Sequence, residues 1–112
     1  MTAVVDAVDR ILAEGGDADD VLRAVVRALV ESGGACWAGI LFAEGDDFVL
    51  GPQAGEPDER KRLYVPVSYD GEQVGVLVAD RARSIRLLER VAELVSTHVL
   101  VGWDTGGERW SP

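Results

Sequence analysis

The sequence holds one cysteine, Cys36, and one histidine, His98. A lone cysteine excludes an internal disulfide. One cysteine and one histidine far apart give no metal-ligand spacing, so no metal site is expected. No apolar run reaches the ~18 residues of a membrane-spanning helix, so no membrane partner is expected. Basic residues are scarce: eleven Lys and Arg stand against twenty Asp and Glu, for a net charge of −9. Nucleic acid is excluded as an expected partner, because phosphates are held by Lys and Arg. No internal repeat and no low-complexity segment occur. Gly51, Gly55 and Gly71 make no phosphate loop, since no Gly-Lys-Ser/Thr follows at the required spacing. No Ser/His/Asp constellation is legible, and His98 has no positioned partner for general-base work. No catalytic residue and no cofactor are therefore expected.

What is present is ordinary globular composition, 47% hydrophobic and 28% charged. A chain of 112 residues is one domain, able to bury a core without disulfides or metals. The opening MTAVVDAVDR carries Asp6 and Asp9 where a signal peptide has basic residues, which predicts a cytoplasmic location. Val4, Val5, Val8, Ile11 and Leu12 recur at helical spacing and predict a helix over 3–14. Gly15-Gly16 stops it, and Asp17 or Asp19 caps a second helix to about Glu31. That helix carries Val21, Leu22, Val25, Val26, Leu29 and Val30 on one stripe. Gly33-Gly34 ends it. CWAGILFA, from Cys36, is a continuous apolar run of strand length, turned at residues 44–47 and answered by Phe48-Val49-Leu50. GPQAGEPDER reads as a loop from Gly51 to about Arg60, and Arg60-Lys61-Arg62 as a solvated, mixed-charge stretch.

Residues 63–80, LYVPVSYDGEQVGVLVAD, organise the rest. Asp70-Gly71 is a two-residue turn signal, because a type I′ turn needs positive φ at both central positions. A register set by that turn alone pairs Val67 with Val74, Val65 with Val76 and Leu63 with Val78. Those six then share one sheet face, and Pro66, Gly75, Tyr64, Leu77 and Ala79 share the other. Pro66 points to an edge strand or a bulge. Asp80 is placed to cap a last helix over about 83–102. Leu88, Val91, Ala92, Val95 and Val99 form one stripe of it, and Leu87, Leu94 and Val101 a second, which predicts burial on two sides. Gly102 ends that helix, the tail TGGERWSP is irregular, and Trp110 packs back on the body. The order helix, helix, hairpin, loop, hairpin, helix predicts an α+β domain: an antiparallel sheet of about four to five strands, with N- and C-terminal helices on one face.

With WAGILF, FVLGPQAGEP and VPVSYDGEQVGVLVAD in place, the chain resembles a GAF domain, a GAF-like (profilin-like) fold. The resemblance is nearest to the branch that includes free methionine-(R)-sulfoxide reductases. It covers Asp19 to Trp103, with 1–16 as an N-terminal helix, 17–103 as the core and 104–112 as a tail, all one domain. It implies the sheet order second, first, fourth, third strand. GAF domains insert helices and a lid between their hairpins, whereas here only 51–62 spans the gap. The reductase branch carries catalytic cysteines in that region, and this chain has none there. Cys36 does not match their position and reads as a small buried hydrophobe.

The resemblance implies a role in signalling or sensing, and the uncovered sheet face and two-sided last helix point to a non-catalytic regulatory or protein-interaction module working as a homodimer. The alternative is a small-molecule ligand held on the open sheet face by Trp37, Leu41, Phe48, Leu50, Tyr64 and Pro66, with Tyr64 as the polar handle. A reductase-like enzyme is the weakest fit. For the homodimer, the interface residues expected are Leu87, Leu94, Val101 and Trp103.

Overall fold

The computed structural model describes residues 2–44, 46–82 and 84–107, with side chains between 4 and 100. The elements are α1 (Thr2–Glu14), α2 (Ala18–Glu31), β1 (Trp37–Glu44), β2 (Asp47–Gly55), β3 (Arg62–Tyr69), β4 (Glu72–Asp80) and α3 (Ile85–Gly107). A single 3₁₀ turn, Glu59–Lys61, precedes β3. Gly15 and Gly16 take positive φ and break the chain between α1 and α2. Asp17 stands at the N-cap of α2 without a side-chain capping bond, while Asp19 and Asp20 face the positive helix end.

The four strands form one antiparallel sheet in the order β2-β1-β4-β3, as expected. All three helices contribute to a single core on one face. There Val4, Val8, Leu22, Val25, Leu29, Leu88, Val91, Val95 and Val99 meet Ala38, Ile40, Phe42, Val65, Val67, Leu77 and Ala79. Both edge strands carry a proline, Pro52 in β2 and Pro66 in β3, which removes a ladder donor at each exposed edge.

The β3–β4 hairpin turns at Asp70-Gly71 with φ of 54° and 84°, as a type I′ turn requires. Its register differs from the one the turn alone implies. Ser68 pairs with Gln73 but Val67 pairs with Gly75, so Val74 is an extra residue in β4. This bulge slips β4 by one position. Leu63, Val65 and Val67 therefore share the helical face with Ala79, Leu77 and Gly75, and Val76 and Val78 turn to the opposite face. A second bulge lies in β2. Gln53 opposes Gly39 and Leu50 opposes Leu41, so both side chains reach the open face although three positions separate them.

Other elements also depart from the sequence expectations. β2 continues through residues expected as loop, because Gln53, Ala54 and Gly55 pair with β1. Asp80 does not cap α3; it ends β4, fully buried, and Ser84 Oγ accepts the Leu87 amide instead. Arg62 belongs to β3 and is largely covered, unlike the exposed Arg60 and Lys61. α3 passes through Gly102. Gly45, Trp110 and the end of the tail lie outside the described residues, as do the side chains of Val101 and Trp103.

Candidate functional site on the open sheet face

Alternation along the strands, corrected for the two bulges, puts Trp37, Leu41, Phe48, Leu50, Tyr64 and Pro66 on the face away from the helices, with Val76 and Val78. Trp37, Val76 and Val78 form a small separate cluster, with Leu41 and Cys36 against it. Phe48, Leu50 and Tyr64 stay 46%, 45% and 59% exposed. Of the six candidate ligand residues, Trp37, Leu41, Leu50 and Tyr64 line one shallow cavity of about 290 Å³, together with Gln53, Pro57, Glu59, Arg62 and Val78. Phe48 and Pro66 stand outside it on the same face. On α3, Leu87 and Leu94 are half-buried against the chain's own core.

One row of residues crosses the sheet beside this cavity: Arg62, Asp80, Trp37 and Gly55, one from each strand in spatial order. Arg62 donates to Asp80 through Nε at 2.7 Å and Nη2 at 2.9 Å. That fork holds the guanidinium over the Trp37 ring, 4.8 Å from its centroid, a cation–π contact. The indole lies along β1 over Gly39, where a Cβ would come within 2.7 Å of the ring. Its Nε1 donates to Gln53 Oε1 at 3.1 Å. Trp37 is thus buried on a face no helix covers, because Arg62, Gln53 and the strand beneath enclose it.

Asp80 also accepts the Asp58 amide at 2.6 Å. Asp58 in turn receives Arg60 Nε at 3.0 Å and Arg81 Nη1 at 2.9 Å. Arg81 takes a left-handed φ of 60°, and its amide donates to the Lys61 carbonyl at 2.8 Å. The loop after β2 is stitched to the end of β4 by these bonds. The Arg62 fork holds the Asp80 carboxyl below the usual carboxylate range, against the opposing effect of burial. Hydrogen bonds from Arg60, with Arg81 adding to them, hold Asp58 well below it, and Asp80 raises the pKa of Arg62. Asp80 is therefore held as an ion by Arg62, and Asp58 by Arg60 and Arg81.

This leaves an apolar, aromatic depression with Gln53 and Glu59 as polar rim. The arrangement suits contact with a flat or apolar surface, and Arg62 is no free anion receptor. Cys36 is half-buried beside Trp37. Among the described residues no group of three His, Cys, Asp or Glu side chains is placed to hold a metal ion. No helix among them is long and apolar enough to cross a membrane. His98 is half-buried, and its Nδ1 finds no partner among the described residues. The sequence reading missed Arg62, Asp80 and Gln53, because their roles depend on which strands lie side by side.

At the sequence level, no protein-family model and no curated protein matches the chain. Solved structures do match it in fold. The GAF domain from a phosphoenolpyruvate-protein phosphotransferase of Coxiella burnetii superposes with a TM-score of 0.72 at 13% identity, covering 96% of this chain and 98% of that one. The GAF domain of the Acinetobacter phosphoenolpyruvate-protein phosphotransferase gives 0.69 at 14% identity, covering 93% and 96%. Free methionine-R-sulfoxide reductase from Neisseria meningitidis, in complex with its substrate, gives 0.68 at 17% identity, covering 92% and 89%. The chain has a GAF-like fold, which the GAF domains of those phosphotransferases and free methionine-R-sulfoxide reductases share.

Proposed function

We propose that this chain is a non-catalytic GAF-like regulatory module, working as a homodimer, whose uncovered sheet face is its working surface. The observation that carries this reading is the face itself. Exposed Leu50 and Tyr64 line a cavity with buried Trp37, and Phe48 lies exposed farther along the same face, while the ionised groups beside Trp37 are engaged with each other. General acid–base or nucleophilic chemistry needs a group free to move a proton or attack. Sulfoxide reduction through an intramolecular disulfide would need a second cysteine, and the chain has one. A single cysteine and an acid-rich chain suit a cytoplasmic setting. The test is incubation with free methionine-R-sulfoxide and dithiothreitol. No methionine should form above the thiol-only rate; turnover that disappears in Cys36→Ser would overturn the non-catalytic reading.

The cavity favours a second reading, a small-molecule sensor. Its volume of about 290 Å³ lies at the lower limit of ligand pockets, about 300 Å³. A thermal-shift screen of amino acids, their oxides and nucleotides tests it. A ligand at ~100 times its Kd adds about 2.7 kcal/mol, and that gain should vanish when Leu50→Asp places a carboxylate on the apolar wall of the depression.

A further inference from the structure

We infer that the open sheet face is the homodimer interface, and that two copies pack on it face to face with their strands antiparallel. This rests on the regulatory reading above and adds the surface and the orientation. The first support is area. Four strands at ~4.8 Å spacing, about eight residues long at ~3.3 Å each, make a face of about 500 Å². A pair of such faces buries about 1,000 Å², the lower limit for a specific interface. The face is just large enough for a second copy of itself, and the dimer it forms is one of modest affinity.

The second support is the distribution of charge. β1 runs antiparallel to β4, from Trp37 beside Asp80 to Phe42 beside Gly75, so both hairpin tips lie at one end of the sheet. That end carries Glu44, Asp46, Asp47, Asp70 and Glu72, and neither hairpin contributes a Lys or Arg there. The other end is mixed, with Arg60, Lys61, Arg62 and Arg81 beside Glu56, Asp58, Glu59 and Asp80. Of its acids, Asp58 and Asp80 are tucked inward, with side chains 17% and 0% exposed, while Glu56 and Glu59 are exposed, as are the Arg60 and Arg81 side chains at 82% and 51%. A two-fold axis in the interface plane and along the strands would set acidic tips against acidic tips. An axis across the strands sets each acidic tip near the charge-balanced end of the other copy, where Arg60, Lys61 and Arg81 are exposed, and the same patch serves both protomers. Like charges in contact are costly, so the second arrangement is selected. In it the partner's face roofs the depression that the short 51–62 segment leaves open.

The test is measurement of mass by sedimentation on the intact chain, in the analytical ultracentrifuge over a wide concentration range. The wild type should show a reversible dimer with a micromolar dissociation constant. Leu50→Asp and Tyr64→Asp, both at exposed positions, should each weaken it by on the order of tenfold or more, with unchanged circular dichroism. Asp46→Asn/Asp47→Asn/Asp70→Asn lowers the net negative charge of each copy, yet should loosen the antiparallel pair. A tighter dimer in that triple variant overturns the orientation. A dimer indifferent to both face variants overturns the interface but leaves the homodimeric reading standing. A monomer at every concentration overturns the interface and the homodimer alike, and is separate from the turnover assay that tests the non-catalytic reading.

Discussion

At the scale of single residues, the Arg62–Asp80 pair sets the geometry of the open face. Asp80 is fully buried, so its charge is tolerable only because Arg62 and the Asp58 amide satisfy it. Arg62→Met leaves that carboxylate with one hydrogen bond and should cost about 3 kcal/mol in urea unfolding. Combining it with Asp80→Asn should recover most of the loss, since the uncompensated charge is then gone and the Asp58 amide keeps an acceptor. A double-variant loss equal to the sum of the Arg62→Met and Asp80→Asn losses would show that the pair is not coupled. Gly39 has a different role: it leaves room for the indole. Gly39→Val should push Trp37 off β1 and break its bond to Gln53, read as the loss of a protected indole N–H resonance by NMR.

At the scale of elements, register is decided by two bulges, one in β2 and one at Val74 in β4. The Asp70-Gly71 turn fixes where the hairpin closes, but the bulge beyond it fixes which side chains meet the helices. Gly71 has open space around its Cα, so a methyl group there meets no clash, and only its φ of 84° is unfavourable for an L-residue. Gly71→Ala should therefore cost about 1 to 2 kcal/mol in chemical unfolding without changing the register. A change in the cross-strand amide contacts of Val67 with Gly75 would show instead that the turn controls the bulge.

At the scale of the whole molecule, acid stability follows from the same ionic network. The pKa values of Asp80 and Asp58 are lowered in the folded state. A group with a depressed folded pKa contributes stability above its unfolded value, about 3.9 for Asp. That contribution drains away as pH falls below it. Stability should thus drop steeply on the acid side, and Asp80→Asn should flatten that limb in a series of melts at falling pH. An unchanged slope would assign the acid sensitivity to other carboxylates.

The helices, the strand count, the turn and the α+β class were all legible along the chain. Each depends on local periodicity or on glycine and aspartate at a tight turn, and neighbours in sequence carry that information. The six apolar residues expected around a ligand do share one face, since a strand's alternation is also local. What the chain alone did not reveal is everything that depends on which strands lie side by side. Asp80 looked like a helix cap and Arg62 like loop charge. Pairing β3 with β4 and β4 with β1 aligned them with Trp37 and turned two separate ions into one buried device. The bulges, too, followed from the packing of Val65, Val67, Leu77 and Ala79 against the helices. Burial across the sheet selects one register, and no pair of neighbouring residues encodes it.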